Sequence, residues 1–401
     1  MISRAARNEI LLLLASTAVL AAANSVVFAL MSDLQDEYGL STGVLGLISG
    51  AGFAVGLLVQ LLVAPLADRG HAKALILGGL ALAVAGGIVF AAGSTVVVLV
   101  VARSLAGASV GCFTPAARAI AATLDPEHAG EQLGRLAAAE LGGFTVGPVI
   151  GGALVGPFGV RVPFLVFAAL AALAFVLVAP RPVPALATGA ESARPSLSLL
   201  HHRGVVVATL FALALFLPVG IYDSLWDRYL TDLGASNAFI GATFALYSVP
   251  FITLSTFGGR LADRLGHVRA CVIGLVAITP LTALYGFFDV PLVLALITTV
   301  EATFQALAVP AAQAAMADAA PPGRAAAGQG LAGATQLAGA ALSAFVAAPV
   351  YGHWGPEIVF IGAGVVLAVI GIAAVLIHRG AAAAQLWEPT SPEPGEIRAQ
   401  S

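Results

Sequence analysis

Four ionisable side chains fall inside long apolar stretches of the sequence: Arg103, Glu140, Asp223 and Glu301. An arginine in the bilayer interior costs about 3 kcal/mol even on insertion scales, so Arg103 needs a partner or water. Desolvation penalises the charged form of a carboxylate, which makes intramembrane Asp and Glu natural proton carriers. Glu301, Glu140, Asp223 and Arg103 are therefore the proton-coupling candidates. Glu301 ranks first, because it lies about ten residues into its stretch, roughly 15 Å deep at 1.5 Å per residue and near a bilayer midplane. The competing reading is a static ion pair between Glu301 and Arg103 at comparable depth. Asp223, close to Trp226 and Asp227, is placed near the outer end of its stretch, where an interfacial role competes with a coupling one. Glu140 is placed nearer the cytoplasmic third than the midplane. No phosphate-binding glycine loop, G-x-S-x-G elbow or H-E-x-x-H zinc pair occurs, so neither an enzyme nor a cofactor is expected. His201-His202 is not read as a metal site. Cys112 and Cys271 sit in apolar runs and imply no disulfide framework.

The elements that must position these groups are membrane helices. Of 401 residues, 59% are apolar and 10% charged, whereas soluble domains carry about 25% charged residues. So few charges cannot cover a water-facing surface, and so much apolar residue excludes disorder. The basic residues form no cluster or stripe, which removes nucleic acid as a partner. About 20 apolar residues cross a hydrocarbon core of roughly 30 Å. Twelve runs meet that requirement: 10–31, 43–64, 74–93, 96–121, 133–155, 162–180, 204–226, 238–258, 271–288, 291–316, 326–349 and 357–377. Each must be helical, because lipid offers no partner to backbone polar groups. The first run follows Arg4 and Arg7 and contains Ala21-Ala22-Ala23, as a signal peptide can. It continues through Val26, Val27 and Phe28 to Met31, however, and is read as a span. One side of the resulting topology holds fifteen Arg and Lys residues, and the other holds Arg161 and Arg228. The positive-inside rule then places both termini in the cytoplasm.

The chain repeats itself. Gly39-Leu40-Ser41 returns as Gly234-Ala235-Ser236, Leu66-Ala67-Asp68-Arg69 as Leu261-Ala262-Asp263-Arg264, and Pro115-Ala116-Ala117 as Pro310-Ala311-Ala312, all 195 residues apart. Six spans per copy give both copies the same orientation, related by an axis along the membrane normal. This divides the chain into an N-terminal six-helix bundle (1–180), a Pro- and Ser-rich cytoplasmic linker (181–203), a C-terminal six-helix bundle (204–379) and a cytoplasmic tail (380–401). Two parallel bundles around a central site are a transporter layout.

Leu66-Ala67-Asp68-Arg69 resembles the loop signature of the major facilitator superfamily. The second copy, Gly259 to Arg269, matches its pattern G-x-L-A-D-R-x-G-x-x-R more fully. In the first copy Ala64 replaces the usual glycine and Gly70 comes one residue early. The resemblance implies that Asp68, Arg69, Asp263 and Arg264 form a conformational latch between the bundles. In span 5, Gly143, Gly147, Pro148, Gly151 and Gly152 resemble the G-x-x-x-G-P-x-x-G-G signature of the antiporter branches, above all the twelve-span drug:proton exporters. Small residues four apart allow close helix contact, and Pro148 bends the helix. Arg103 to Gly107 is similar to the superfamily's span-4 arginine motif, with Ala106 where glutamine is usual. The resemblance further implies that spans 1, 4, 7 and 10 line a cavity while spans 3, 6, 9 and 12, free of internal charge, are peripheral. Asn24, Phe28, Gln305 and Gln336 become the substrate-cavity candidates, and Phe244, Tyr247 and Phe304 could join Phe28 in an apolar wall.

The expectation is an all-α membrane protein of twelve helices in the major facilitator fold, lodged in a bacterial inner membrane and working as a monomer. It would export small amphipathic compounds against protons by alternating access. A sugar or other metabolite transporter of the same superfamily is the alternative, and a non-transporting membrane sensor a remote one.

Overall fold

The computed structural model describes residues 4–63, 66–124, 129–181, 196–321 and 324–387. Apart from short 3-10 and π turns, every regular element is an α-helix: α1 (Arg4–Ser25), α2 (Met31–Tyr38), α3 (Thr42–Leu62), α4 (Ala72–Ala92), α5 (Val96–Leu124), α6 (Ala129–Phe158), α7 (Arg161–Val178), α8 (Arg203–Ile221), α9 (Asp227–Asp232), α10 (Asn237–Leu265), α11 (His267–Leu284), α12 (Pro291–Ala319) and α13 (Ala325–Trp387). Among the described residues eleven helices are long and apolar enough to cross a membrane. The last of them cannot be one crossing. It has a non-helical break at Gly355 (φ 81°, ψ −179°), and at 1.5 Å per residue its apolar length is more than twice a hydrocarbon core. Residues on either side of Gly355 form spans 11 and 12, which makes twelve. Below, the near end is the one where α1 begins and the far end is its opposite.

Glycine marks the turns of both copies. Gly39 and Gly234 take positive φ (62° and 80°), as do Gly70 and Gly266 (86° and 88°) and Gly159 and Gly355 (79° and 81°), a region that costs residues with a Cβ. The early Gly70 therefore still turns the chain, through a π turn over Ala67–His71, and the departure from the loop signature leaves the fold intact.

The first apolar run does not stay a single helix. After Ser25 it tightens into a 3-10 turn, Val26–Ala29, and restarts as α2, whose Met31, Ser32 and Leu34 are buried. Span 7 is likewise interrupted, by a π turn at Tyr222–Trp226 between α8 and α9. π turns inside helices are rare and concentrate at functional sites. The two interrupted spans face each other across the seam between the halves, and one buried cluster there runs from Val26, Phe28 and Leu34 to Tyr222, Trp226, Ile240 and Phe360.

The halves are tied together at the far end. Arg228 of α9 bonds Asp36 of α2 at 2.8 Å and also holds Asp232. Asn237 donates to both carboxylate oxygens of Asp33 at 2.9 Å, and Thr231 bonds Ser32 at 3.0 Å. Burial pushes the Asp33 carboxyl above the usual carboxylate range, against the opposing bond from Asn237.

Candidate functional site

Arg103 on α5 sits at the centre of the seam. Its Nη2 donates to Asp223 Oδ2 at 2.7 Å, and both side chains are essentially closed to solvent. Its Nη1 donates to the carbonyl and the side-chain oxygen of Asn24 on α1, each at 3.0 Å. The guanidinium also lies over the Phe28 and Phe53 rings, 5.3 and 5.6 Å from their centroids. Room for it comes from α3, where a Cβ on Gly52 would stand 2.8 Å from Arg103 Cγ. The arginine of one half is thus neutralised by an aspartate of the other, through one charge-assisted hydrogen bond backed by aromatic faces.

Two alternatives that the sequence left open are removed here. Arg103 pairs with Asp223 and not with Glu301. Nor is Asp223 interfacial: it lies in the π turn of span 7, 1% exposed, against the opposite half. Linear distance along the span suggested otherwise because the chain continues past Asp223 into α9, which extends the span to Asp232.

Glu301 on α12 is fully buried, in a cage built by its own half. Tyr222 and Tyr285 hydroxyls each donate to Oε2 at 2.5 Å. Gln305 donates to Oε1 at 3.2 Å, with Thr282 at 3.5 Å. Gln305 in turn accepts from the Tyr247 hydroxyl at 2.8 Å. Four neutral donors replace water, and no cation is among them. Tyr222 and Asp223 are adjacent in sequence yet serve different sites, one bonding Glu301 within its half and the other Arg103 across the seam. The π turn places both.

Between the halves lies a cavity of about 270 Å³. Phe28 and Phe144 come from the first half, and Phe216, Tyr222, Trp226, Phe244, Tyr247 and Phe251 from the second, with Thr298, Gln305 and Ser248 as polar points. Phe28 packs edge-on against Phe144, with centroids 5.0 Å apart. Trp226 is fixed by donating to Thr243 at 2.8 Å. Glu140 also lines this cavity, on its near-end side, and is not a buried carrier: it is partly exposed and 3.3 Å from Arg118.

The remaining sequence candidates divide. Phe28, Gln305, Phe244 and Tyr247 line the cavity. Asn24, Gln336 and Phe304 are not among its lining residues, and Asn24 serves Arg103 instead. Gln336 is half-buried on α13. The span-5 glycines have two jobs. A Cβ on Gly143 or Gly147 would collide with the α1 backbone at Ala18 or Ala22, and one on Gly151 would stand 2.9 Å from Val26. Gly152 instead faces Asn237 and Gly241 at the start of α10, while a Cβ on Gly241 would stand 2.8 Å from the Pro148 carbonyl oxygen. The stripe at 143, 147 and 151 builds one half, and Gly152 with Pro148 closes the seam. Asp263 bonds His267 at 3.1 Å, and His267 reaches Asp318 at 2.5 Å, tying the end of α10 and the start of α11 to the end of α12 within one half. The Arg264 side chain is exposed there. The side chains of Asp68 and Arg69 lie outside the described residues, as do most of the linker and the tail beyond Trp387. His201 bonds the Ser198 carbonyl, and among the described residues no group of His, Cys, Asp and Glu could hold a metal. Sequence reasoning missed Tyr222, Tyr285 and Asp227. Only the aromatic density of spans 7 and 9 hinted at the first two.

Known proteins resemble this chain in sequence and in fold. The family model for the Major Facilitator Superfamily matches residues 13–227 and 209–398. The multidrug resistance protein MdtG of Klebsiella pneumoniae (strain 342) is 31% identical over 224 residues, 53% of this chain and 53% of that protein. The quinolone resistance protein NorA of Staphylococcus aureus (strain MSSA476) is 28% identical over 205 residues, 49% of this chain and 52% of NorA. The matches therefore span about half the length of these two relatives. The crystal structure of the nucleoside transporter NupG superposes with a TM-score of 0.76 over 92% of this chain and 99% of NupG, at 14% identity, a likeness of fold alone. With a family match along nearly all its length and twelve spans in two halves that meet on a buried seam, the chain belongs to the Major Facilitator Superfamily and is a multi-pass membrane protein.

Proposed function

We propose that the chain exports small amphipathic compounds in exchange for protons, its two halves rocking about the central cavity so that it opens to one side at a time. The observation that carries this reading is Glu301, fully buried without a cation directly behind an aromatic cavity. An ionised carboxylate there costs several kcal/mol, so Glu301 is neutral when sealed and exchanges its proton when the halves part. Tyr222 and Gln305 touch both Glu301 and the cavity, so a guest that draws either away changes how well the carboxylate is solvated. That gives proton and substrate a shared set of contacts.

Asp223 and Arg103 are the cross-seam lock, with Asn24 holding the arginine. Glu140 lies at the near-end mouth, where a carboxylate can receive a cationic guest. Export is supported by the Gly-Pro signature of span 5 and by the resistance named in MdtG and NorA. The few polar points of the cavity suit an amphipathic ligand better than a polyhydroxylated sugar. The arginine distribution supports a cytoplasmic near end, both termini inside and a bacterial inner membrane. Residues 1–180 and 204–379 act as the moving units, joined by 181–203, in a monomer. Asp68 and Arg69 are assigned to the near-end latch with Asp263 and Arg264, the second pair braced through His267.

Glu301→Gln tests the reading. In proteoliposomes, wild-type efflux of a resistance substrate should accelerate under an imposed pH gradient. The variant should bind substrate yet ignore the gradient. If Glu301→Gln responds fully to the gradient, coupling at this residue is wrong.

A further inference from the structure

Asp227 is a third buried carboxylate, one helical turn beyond Asp223 on the same span, and it is 1% exposed. Its Oδ2 accepts the Ser32 backbone N–H at 2.6 Å, across the seam, in the first turn of α2. Its Oδ1 has no hydrogen-bond partner. The charges around it are spoken for or alike. Arg228 next to it is committed to Asp36 and Asp232. On α2, Asp33 bonds Asn237, and Asp36 and Glu37 are acidic. One turn down the span, Arg103 is taken by Asp223. On α10 the first turn offers the neutral Asn237. Asp223 has a cation and Glu301 has four donors, whereas Asp227 has only Ser32, through its backbone N–H and its hydroxyl, and no cation. A buried carboxylate with an orphaned oxygen is tolerated as the neutral acid and not as the anion. When α2 and α9 separate, far-side water reaches the same group and the anion becomes acceptable.

We propose that Asp227 is a second proton-binding site, built into the far gate: it takes a proton from the far side as the gate shuts and gives it up as the gate opens. The gate can then close only on a protonated Asp227, so closure is favoured by acid on the far side, with the proton carried across assigned to Glu301. The inference rests on the alternating-access reading above, but its test needs neither substrate nor a gradient.

The sign follows from linkage. A carboxyl more easily protonated in the shut gate stabilises that state in acid, and the stabilisation is lost as pH rises. Asp33, held above the usual range by burial, acts in the same direction and is the necessary control. The reporter is Val155→Cys, in a background with Cys112 and Cys271 changed to alanine. Val155 is 5% exposed in the cluster shared by both halves, near Gly152 on the seam. An impermeant maleimide is applied from the far side over a series of pH values, and labelling rates are corrected for the reagent's own pH dependence with a permanently exposed cysteine. Labelling should rise with pH, by at most about tenfold per unit for one proton. Asp227→Asn, a neutral isostere, should hold labelling low and remove most of that slope, while Asp33→Asn should leave most of it. Asp227→Ala supplies a second neutral side chain should the asparagine fail to accumulate, and should flatten the profile likewise. A full wild-type slope in the Asp227 variants, or a slope lost in Asp33→Asn instead, overturns the proposal. Glu301→Gln should keep the slope, so failure of coupling at Glu301 and failure of the gate site give different results.

Discussion

At the scale of single residues, three buried carboxylates in one half meet three different environments, and environment sets what each can do. Asp223 has a full counter-charge in Arg103. Breaking such a pair by removing one partner costs about 3–5 kcal/mol, because the survivor is left buried and uncompensated. Asp223→Asn should therefore lower the melting temperature in detergent and abolish transport. Adding Arg103→Met removes the stranded cation and should restore much of the melting temperature without restoring transport. A double variant as unstable as the single one would mean that the pair is not the reason for the loss. Tyr222 and Tyr285 both donate to Glu301, and removing a hydroxyl there uncovers an acceptor rather than leaving a cation unpaired, which is the milder defect.

At the scale of elements, close helix contact is bought with glycine, and the position of each glycine decides what its replacement breaks. Gly143 faces the α1 backbone at Ala18 inside one half. Gly143→Leu should prevent that half from assembling and reduce the amount of protein in the membrane. Gly152 faces Asn237 across the seam. Gly152→Leu should leave membrane levels near wild type but lose efflux, since the added bulk blocks closure and not insertion. Quantifying protein and efflux in parallel separates the two, and equal loss of protein in both would contradict the division of the motif. The π turn of span 7 is the other decisive element. A regular α-helix turns about 100° per residue, and the wider turn at Tyr222–Trp226 sends neighbouring side chains to separate sites.

At the scale of the whole molecule, two halves share a buried seam and are tied at the far end by polar groups. The Arg228 ties to Asp36 and Asp232 are partly exposed, and exposed pairs are worth about 0.2–1 kcal/mol. That is little for folding but enough to shift a two-state balance by a factor of roughly 1.4 to 5. Arg228→Gln should leave melting within a degree or two while widening far-end distances between spin labels on α2 and α9. Higher salt should do the same to wild type, because such pairs are screened. Unchanged distance distributions in both experiments would remove these ties from the gate.

The sequence by itself determined the fold. Twelve apolar runs, a 195-residue repeat and one-sided arginines leave little freedom once lipid forces each run to be helical. It also identified Arg103, Asp223 and Glu301 as groups needing explanation, because charge in an apolar run is anomalous wherever it sits. Which charges meet was decided only by the tertiary structure. Arg103 and Asp223 lie 120 residues apart, and depth along a span says nothing about the direction a side chain takes around it. The tyrosine cage was hidden because tyrosine in an apolar run reads as packing until its hydroxyl finds an acceptor. Asp227 was hidden because a carboxylate near a span end reads as solvated until α2 folds over it. A short 3-10 turn at Val26–Ala29, invisible in a continuous apolar run, places α2 there.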